Sequence, residues 1–430
     1  MTDIKKIKNF DALAVTETRK TVLNIIEAGL QAIDTEKVIK ENISLNGNTL
    51  IVKDESFSLS SVQRIFIVGI GKCSARGAFA LEGILGDKLS GGIALDISES
   101  YSSQKLTYLS GDHPFPSDKN VNATAKIITL LESLNGNDLV IFIVSGGGSV
   151  LLTQPTGITV ADEVALTQEL FEKGATIQEL NTVRKHISLA RGGNLLKYAH
   201  PAKSISVIFS DVPGNDITFI ASGPTVKDKT TVMDAEAILH KYYISVISPK
   251  VLIETPKDDM YFESSKTFLL VSNEVALRAM ADEATTAGYK VHIETSTLTG
   301  EAKDVGRKIV SDLHSAPSKS VFLYGGETTV TMENTHGEGG RNQELVLSLL
   351  KDIKEGEIIA SVASDGHDDT PFAGALCDMI TVKKVEEKGL DVGSFLTIHN
   401  SYAFWKEAED YLETGLTGSN VSDFVIALKE

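Results

Sequence analysis

Two glycine-rich segments combine polar side chains with a backbone that can approach a ligand closely. GIGKCSARG carries Lys72 between a strand pattern and a helix pattern, and SGGGS contains Ser145, Gly146, Gly147, Gly148 and Ser149. Consecutive glycines lack Cβ atoms, so their N–H groups can point at phosphate oxygens. A lysine at the start of a helix can meet the same anion. Both segments predict anion binding; the alternatives are a solvated lysine and a tight turn.

These loops do not match the common nucleotide or hydrolase motifs. A P-loop needs glycine where Phe66 stands and Ser or Thr where Cys73 stands. A dinucleotide fingerprint needs its third glycine at Ser74. A nucleophile elbow needs glycine at Ile143. The pattern therefore favours anion binding over serine hydrolysis and gives no nicotinamide site.

A carboxylate and a guanidinium occur at two further strand or helix ends. Asp211 follows the strand pattern SISVIFS directly, where it could bind a divalent metal, take a proton from a hydroxyl, or cap a turn. Arg341 in GEGGRNQELVLSLL stands at the start of a helix pattern. Its guanidinium could clamp a carboxylate or phosphate, or form a surface salt bridge.

Acidic side chains follow two more strand patterns. YGGETT offers Glu327, and ASDGHDD offers Asp365, Asp368 and Asp369. Carboxylates in such positions suit a metal or a ribose hydroxyl, and a solvated acidic turn is the alternative. Asp365 is our candidate for a metal ligand beside Asp211.

The segment RKHISLARGG carries a pair of arginines. Thr176 and Glu179 form a capping-box pattern that opens a helix through residue 190. Arg184 and Arg191 are seven residues apart, about two helical turns, so they would share one face. A cationic face of this kind is either solvated or suited to carboxylate recognition.

Short β-branched runs alternate with helical patterns, which is typical of an α/β protein with mainly parallel sheets. The strand candidates are 64–69, 92–97, 138–144, 204–210, 267–272, 289–295, 320–326, 328–332, 357–364 and 423–429. Weak patterning and clustered charge at 248–266 indicate a boundary between two α/β domains, residues 1–255 and 256–430.

The amino-acid composition indicates which classes of partner and which cellular compartment to expect. The 430 residues contain 41 Lys and Arg against 58 Asp and Glu, a formal net charge of −17. A surface this acidic repels nucleic acid and anionic membranes, so we expect neither as a partner. Two cysteines give no disulfide framework or metal spacing, and no apolar stretch suggests a leader or membrane span. We therefore expect a cytoplasmic protein.

Several motifs together carry a family resemblance, and they extend from about residue 10 to the end. They are GIGKCS, GDHPFPSD, VSGGGS, RKHISLARGG, SDVPGNDITFIASGPT, YGGETTVTM, GGRNQELVL, ASDGHDD and TGLTGSNVSDF. The chain resembles the type II glycerate kinases, the glycerate 2-kinase family, whose carboxyl-terminal part is the MOFRL domain. The resemblance implies two α/β domains with Rossmann-like sheets flanking a deep cleft.

The resemblance also implies an activity, ATP- and Mg²⁺-dependent phosphorylation of D-glycerate at its 2-hydroxyl to give 2-phosphoglycerate. It makes Lys72, Asp211 and Arg341 the expected catalytic group and places Asn342 of GGRNQE among the binding residues. Arg191 stands where the family usually has lysine.

Further departures lie in the closing segment and in ASDGHDD. Leu416 and Ser419 replace the usual proline and threonine. His367 and Asp369 stand where threonine and glycine are common.

Three other functions compete with this interpretation: an NAD(P)H-dependent hydroxypyruvate reductase, a kinase of a related sugar acid, and a non-catalytic sugar-acid binding protein. Phosphoryl transfer needs positive charge around the moving group and one carboxylate for the attacking hydroxyl. Lys72, Arg341 and Asp211 supply these types of group, so the sequence favours the kinase. Oligomeric state is left open.

Overall fold

The computed structural model describes residues 5–99, 101–212, 214–332 and 337–430. The chain divides into two compact units, one formed by Thr35–Leu270 and the other by Met1–Asp34 together with Val271–Glu430. Within the described ranges, no helix has both the length and the apolar character needed to cross a membrane.

The helices and strands alternate along most of the chain. The helices are α1 (Phe10–Leu13), α2 (Glu17–Ala32), α3 (Thr35–Asn42), α4 (Ser74–Leu85), α5 (Asp118–Glu132), α6 (Gly148–Leu151), α7 (Val160–Glu172), α8 (Ile177–His186), α9 (Asn194–Ala199), α10 (Val232–Lys241), α11 (Asn273–Thr286), α12 (Ala302–Ser315), α13 (Arg341–Leu349), α14 (Met379–Lys388), α15 (Val392–Thr397) and α16 (Ser401–Ala408). The strands are β1 (Ile43–Asn46), β2 (Thr49–Val52), β3 (Glu55–Ser58), β4 (Arg64–Ile70), β5 (Leu89–Asp96), β6 (Leu106–Ser110), β7 (Asp138–Val144), β8 (Lys203–Phe209), β9 (Ser265–Val271), β10 (Lys290–Leu298), β11 (Ser320–Gly326), β12 (Glu357–Ala363), β13 (Gly374–Cys377), β14 (Tyr411–Leu412) and β15 (Asp423–Lys429).

The unit of residues 35–270 is built on a sheet with the strand order β6-β5-β4-β7-β8-β9. The pairs β4–β5, β5–β6, β4–β7 and β7–β8 are parallel. Every residue of β7 is buried, as expected of an uninterrupted apolar strand covered on both faces. The strand order reverses direction between β4 and β7, and ligands of open α/β sheets bind at such a switch point, beyond the carboxyl ends of the strands.

The second unit has a mixed sheet in the order β10-β11-β15-β12-β13-β14. Only β10–β11 is parallel among its described pairs, and the other four pairs are antiparallel. The α/β fold class is confirmed, but the mainly parallel arrangement holds for the first sheet alone. The predicted strand at 328–332 is wrong, because Thr329 makes only an isolated bridge to Glu301.

The predicted domains, 1–255 and 256–430, differ from these two units at both boundaries. Strand β9 lies at the edge of the first sheet, so that unit extends to Leu270. Helix α2 packs on α11, and the buried Arg19 binds Asp378 and Asp410. The amino-terminal segment therefore belongs with the carboxyl-terminal unit.

Candidate active site

Polar side chains follow four adjacent strands of the parallel sheet at their carboxyl ends. Asp96 ends β5, Lys72 follows β4, Ser145 follows β7 and Asp211 follows β8. Because the strands are neighbours in the order β5-β4-β7-β8, these residues meet at one edge of the sheet, around the switch point. The structure thus brings the two predicted glycine loops together.

The two loops interlock through their backbones. The Lys72 N–H donates to the Gly146 carbonyl at 2.9 Å, and the Cys73 N–H donates to Ser145 Oγ at 3.3 Å. Gly147 has φ +77°, and a Cβ there would lie 2.9 Å from Cγ of Lys72. Glycine at this position leaves room for the lysine stem against the loop.

This interlocking divides the predicted anion loop into structural and accessible positions. Ser145 is buried and its hydroxyl already accepts from Cys73, so it holds the loops together. Gly146 and Gly148 are also buried, whereas Gly147 and Ser149 are half-buried. The accessible part of SGGGS is therefore Gly147 and Ser149.

A chain of side chains ties this loop to helix α8. Ser222 Oγ lies 3.1 Å from Ser149 Oγ and donates to Asn181 Oδ1 at 2.6 Å. Asn181 stands one turn before Arg184 on α8, which begins at the predicted capping box of Thr176 and Glu179. The glycine loop and the helix that carries Arg184 are thus held together.

Arg184 is a half-buried cation on α8, and the carboxylate of Glu163, whose charge acts on it, is bonded to Arg191. Its guanidinium has no hydrogen bond or ion pair within the described ranges, and its Nε is buried without a partner. Burial and the nearby charge of Arg191 lower the pKa of Arg184 to about 10. A desolvated charge is costly unless it is paired, so this position is suited to an anionic ligand.

Arg191 is held by a buried ion pair. It is fully buried, with Nη1 donating to Glu163 Oε1 at 2.6 Å and Nη2 donating to Thr153 Oγ1 at 2.9 Å. Helix α8 ends at His186, so Arg184 and Arg191 do not share a helical face as expected. Arg191 thus forms a structural ion pair, while its Nε, like that of Arg184, is buried without a hydrogen-bond partner among the described residues. Its predicted place among the anion-binding residues stays a prediction.

Asp211 and Asp96 both lie near the Cys73 thiol. Burial, followed by the charges of Asp96 and Asp211, raises the pKa of Cys73 to about 12, so the thiol is neutral at physiological pH. Asp211 is half-buried at the end of β8. A carboxylate at this edge can orient or deprotonate a hydroxyl.

Asp96 is a site residue that the sequence analysis missed. It is buried, and burial raises its pKa to about 6 against the opposing effects of two backbone N–H groups and the charge of Lys72. The sequence does contain an indication of Asp96: a carboxylate lies near the end of the strand pattern GIALDI. That strand is the neighbour of the strand that precedes Lys72.

In the second unit, Arg341 opens α13 and is held by two carboxylates. Nε donates to Asp423 Oδ2 at 2.5 Å, and Nη2 lies 3.2 Å from both Asp423 Oδ1 and Glu327 Oε1. Burial disfavours the cation, but the bonds and charges of Asp423 and Glu327 outweigh burial and raise the pKa of Arg341. Nη1 donates no hydrogen bond within the described ranges, which leaves one edge of the guanidinium for an anion.

The guanidinium of Arg341 borders a cavity of about 320 Å³ within this unit. The other lining residues include Thr328, Thr329, Glu344, Asp369 and His399. His399 Nδ1 lies 2.9 Å from Glu344 Oε2, so this pair closes one wall. Glu327, a predicted binding residue, forms an ion pair with Arg341, and its role toward substrate stays a prediction.

Asn342 is fully committed to the fold. Its N–H and Nδ2 each donate to Asp368 Oδ1 at 3.0 Å, and its Oδ1 accepts from Ser361 at 2.5 Å. Asp368 is buried, which raises its pKa to about 6, and it caps the start of α13. Asn342 therefore helps to position the helix that begins with Arg341, and its predicted contact with substrate stays a prediction.

The sequence predicts Asp211 and Asp365 as metal ligands. Asp211 and Asp365 lie in different units, and Asp365 Oδ1 accepts from the His367 N–H at 3.0 Å. In the part of the chain that the structure describes, no group of three or more His, Cys, Asp or Glu side chains is suited to hold a metal ion.

Comparison with known proteins gives the family of this fold and these loops. Residues 21–254 match a domain of unknown function, DUF4147, and residues 320–423 match the MOFRL family. A glycerate 2-kinase of Pyrococcus horikoshii is 35% identical, over 96% of this chain and 97% of that protein. The chain belongs to the glycerate 2-kinase family with a carboxyl-terminal MOFRL domain.

The family also includes a solved structure and a relative with another name. The crystal structure of a glycerate kinase from Thermotoga maritima, EC 2.7.1.31, has a TM-score of 0.85 and 30% identity, covering 96% of this chain and all of that chain. A putative hydroxypyruvate reductase of Agrobacterium vitis is 38% identical over 84% of this chain and 86% of that protein.

Proposed function

We propose that this protein transfers the γ-phosphoryl group of ATP to the 2-hydroxyl of D-glycerate, giving 2-phosphoglycerate and ADP. The observation that carries the proposal is Arg184, a cation with no ion pair among the described residues, in the unit that also presents Lys72 beside a glycine loop. In a protein of net charge −17, such cations mark the place where anionic substrates are bound. The names of the relatives from Pyrococcus horikoshii and Thermotoga maritima support the same reaction.

Arg184 is the proposed partner of the glycerate carboxylate. A guanidinium forms two parallel charge-assisted hydrogen bonds with a carboxylate, which orients a small acid as well as binding it. The Ser149–Ser222–Asn181 contacts hold the glycine loop to the helix of Arg184. This connection would keep the carboxylate contact and the loop at a fixed spacing.

Lys72 is the proposed electrostatic group for the moving phosphoryl. Its stem lies against Gly147, so the ammonium and the accessible part of the SGGGS loop can act on the same anion. Positive charge placed in advance stabilises the charge on the equatorial oxygens in the transition state.

Asp211 is the proposed partner of the attacking hydroxyl. Its place at the end of β8, half-buried and near Cys73, supports a role on the substrate side of the switch point. A carboxylate there would orient the 2-hydroxyl and accept its proton as the bond to phosphorus forms.

Arg341 is proposed to bind an anionic group of a substrate through its Nη1 edge. Asp423 and Glu327 hold the rest of the guanidinium, so the direction of that edge is fixed. Lysine cannot replace a planar, preorganised donor of this type.

The phosphoryl donor is proposed to be the magnesium complex of ATP, which brings its own metal as a substrate. Mg²⁺ usually keeps several waters and needs one or two carboxylates beside the phosphates. Asp211 is the candidate for such a single contact and Asp365 a weaker one, which supports metal supply with the nucleotide rather than a resident centre.

A cytoplasmic location and the absence of nucleic-acid partners are part of the same proposal. Both cysteines are buried free thiols, as is usual in a reducing compartment, and the acidic charge disfavours phosphate polymers.

One experiment separates the kinase from its competitors. The protein is incubated with D-glycerate and MgATP, ADP release is followed, and the product is identified by its ³¹P spectrum. We expect ADP formation that depends on glycerate, with 2-phosphoglycerate as product. Oxidation of NADH with hydroxypyruvate and no ADP release would instead support a reductase, and 3-phosphoglycerate would refute the proposed position of transfer.

A further inference from the structure

Asp96 connects the end of strand β5 to the loop that carries Lys72. Its Oδ2 accepts from the Ala75 N–H at 3.0 Å and its Oδ1 accepts from the Ile97 N–H at 2.7 Å. Two further bonds join the same segments: the Gly71 N–H and the Ser74 hydroxyl donate to the Leu95 carbonyl at 3.1 and 2.9 Å.

The first turn of helix α4 lacks a cap from its own sequence. Cys73 occupies the N-cap position and makes no side-chain cap hydrogen bond. Ser, Thr, Asp or Asn normally fills this role by accepting from an N–H of the first turn. Asp96 does so from a neighbouring strand, and its negative charge also suits the positive end of the helix.

We propose that Asp96 is a positioning residue for phosphoryl transfer, which caps α4 from strand β5 and so fixes the backbone from which Lys72 reaches its anion. This inference rests on the proposed kinase function. Asp96 is 4% exposed and its two carboxylate oxygens already accept from backbone N–H groups, so it acts through Lys72 rather than on the substrate. Nothing in the sequence spacing links the two residues, because they follow different strands.

The ionisation of Asp96 then governs the shape of the loop. A protonated carboxyl turns one acceptor into a donor, which opposes the N–H groups of Ala75 and Ile97. Burial raises the pKa of Asp96 to about 6, so the cap would weaken as the pH falls through this value.

Other titratable or charged groups near Asp96 could also contribute to a pH dependence. Lys72 is the cation that acts on it, and the Cys73 thiol beside it stays neutral because the pKa of Cys73 is about 12. On the side of β6, Glu99 binds Ser110 and its pKa is lowered, first by that bond. Asp211 acts on the same thiol and is the remaining nearby carboxylate.

The kinetic test uses Asp96→Asn in the full chain, with Asp138→Asn as the matched control. Asp138 is a buried carboxylate of the same sheet, but it begins β7 at the opposite edge and pairs with Arg64. We expect Asp96→Asn to lower kcat about 10- to 100-fold, the effect of a small misplacement, with KM for glycerate little changed. The wild-type kcat should decline below pH about 6, and this decline should be absent in Asp96→Asn and present in Asp138→Asn.

A second readout does not depend on catalysis. Amide hydrogen exchange of the peptide spanning residues 71–80 should be faster in Asp96→Asn than in wild type at pH 7, and unchanged in Asp138→Asn. If Asp96→Asn does not fold, Asp96→Ser keeps an oxygen acceptor without a charge and takes its place.

The outcomes distinguish this inference from the proposed function. Unchanged kcat and an unchanged acid decline in the Asp96 variant would overturn the positioning role, as would exchange identical to wild type. A wild-type protein that releases no ADP, yet shows faster exchange in the variant, would refute the kinase while retaining the cap.

Discussion

Arg184 and Arg191 lie close enough for their charges to interact, yet only Arg191 is paired with a carboxylate, Glu163. The fold therefore concentrates two positive charges and neutralises only one of them by an ion pair within the described residues. Such an arrangement costs free energy in the unliganded protein and is offset when an anion binds. We therefore expect Arg184 to contribute to ligand binding and Arg191 to contribute to the stability of the fold.

Replacement of Arg184 should affect activity without loss of stability. We expect Arg184→Met to lower kcat/KM for glycerate about 100-fold or more, because a charge-assisted contact to the carboxylate is lost. The free energy of unfolding should stay the same or rise, since a largely desolvated charge that makes no ion pair is removed. Steady-state kinetics and urea unfolding measure the two effects, and a marked loss of stability would contradict this view of Arg184.

Replacement of Arg191 should have the opposite pattern. Arg191→Met leaves Glu163 buried without its partner, so we expect the free energy of unfolding to fall by about 3–5 kcal/mol. Urea unfolding of the single variant and of the double variant Arg191→Met/Glu163→Met measures this, and the double variant should recover most of the loss. A fully stable single variant would show that the pair contributes nothing.

Replacement of Lys72 tests the electrostatic group. Lys72→Met should lower kcat by about 10²–10³, in line with the loss of one preorganised donor. Lys88→Met is a matched control, because Lys88 lies in the same unit and is exposed, with a bond to Asn48. ADP release measures both variants, and near wild-type turnover in Lys72→Met would remove this residue from the mechanism.

Replacement of Arg341 by lysine should lower the activity. Arg341→Lys conserves the charge but cannot bind Asp423 through two nitrogens and still present a free edge, so kcat/KM should fall about 10- to 100-fold. The exposed Arg278→Lys, in the same unit, is the control and should behave as wild type. Equal kinetics in the two variants would give Arg341 a purely structural role.

Asp211 has two possible roles that magnesium dependence separates. If Asp211 acts on the hydroxyl, Asp211→Asn should lower kcat by about 10²–10⁴ while the magnesium concentration for half-maximal rate stays near that of wild type. A large rise in that concentration would make Asp211 a contact of the nucleotide-bound metal instead. Initial rates over a magnesium series at saturating glycerate provide the measurement.

The sequence predicts the elements that local patterning determines. Strands β4, β7 and β8 are apolar runs bounded by polar loops, so their positions and the two glycine loops could be found. The pairing of side chains depends on distant residues and could not be found: Glu163 lies on α7 and precedes Arg191, in the loop between α8 and α9, by 28 residues. The direction of a strand could not be predicted either, because an apolar run such as β15 has the same pattern in a parallel and in an antiparallel sheet.

The division of the chain has a consequence for biosynthesis. Arg19 on α2 binds Asp410, and 391 residues separate the two along the chain. The continuous unit of residues 35–270 is synthesised in between and can fold as soon as it emerges. Helix α2, with Val22, Leu23 and Ile26 on its buried face, must wait exposed until its partners have left the ribosome. We therefore expect the apolar face of α2 to be covered only late in synthesis.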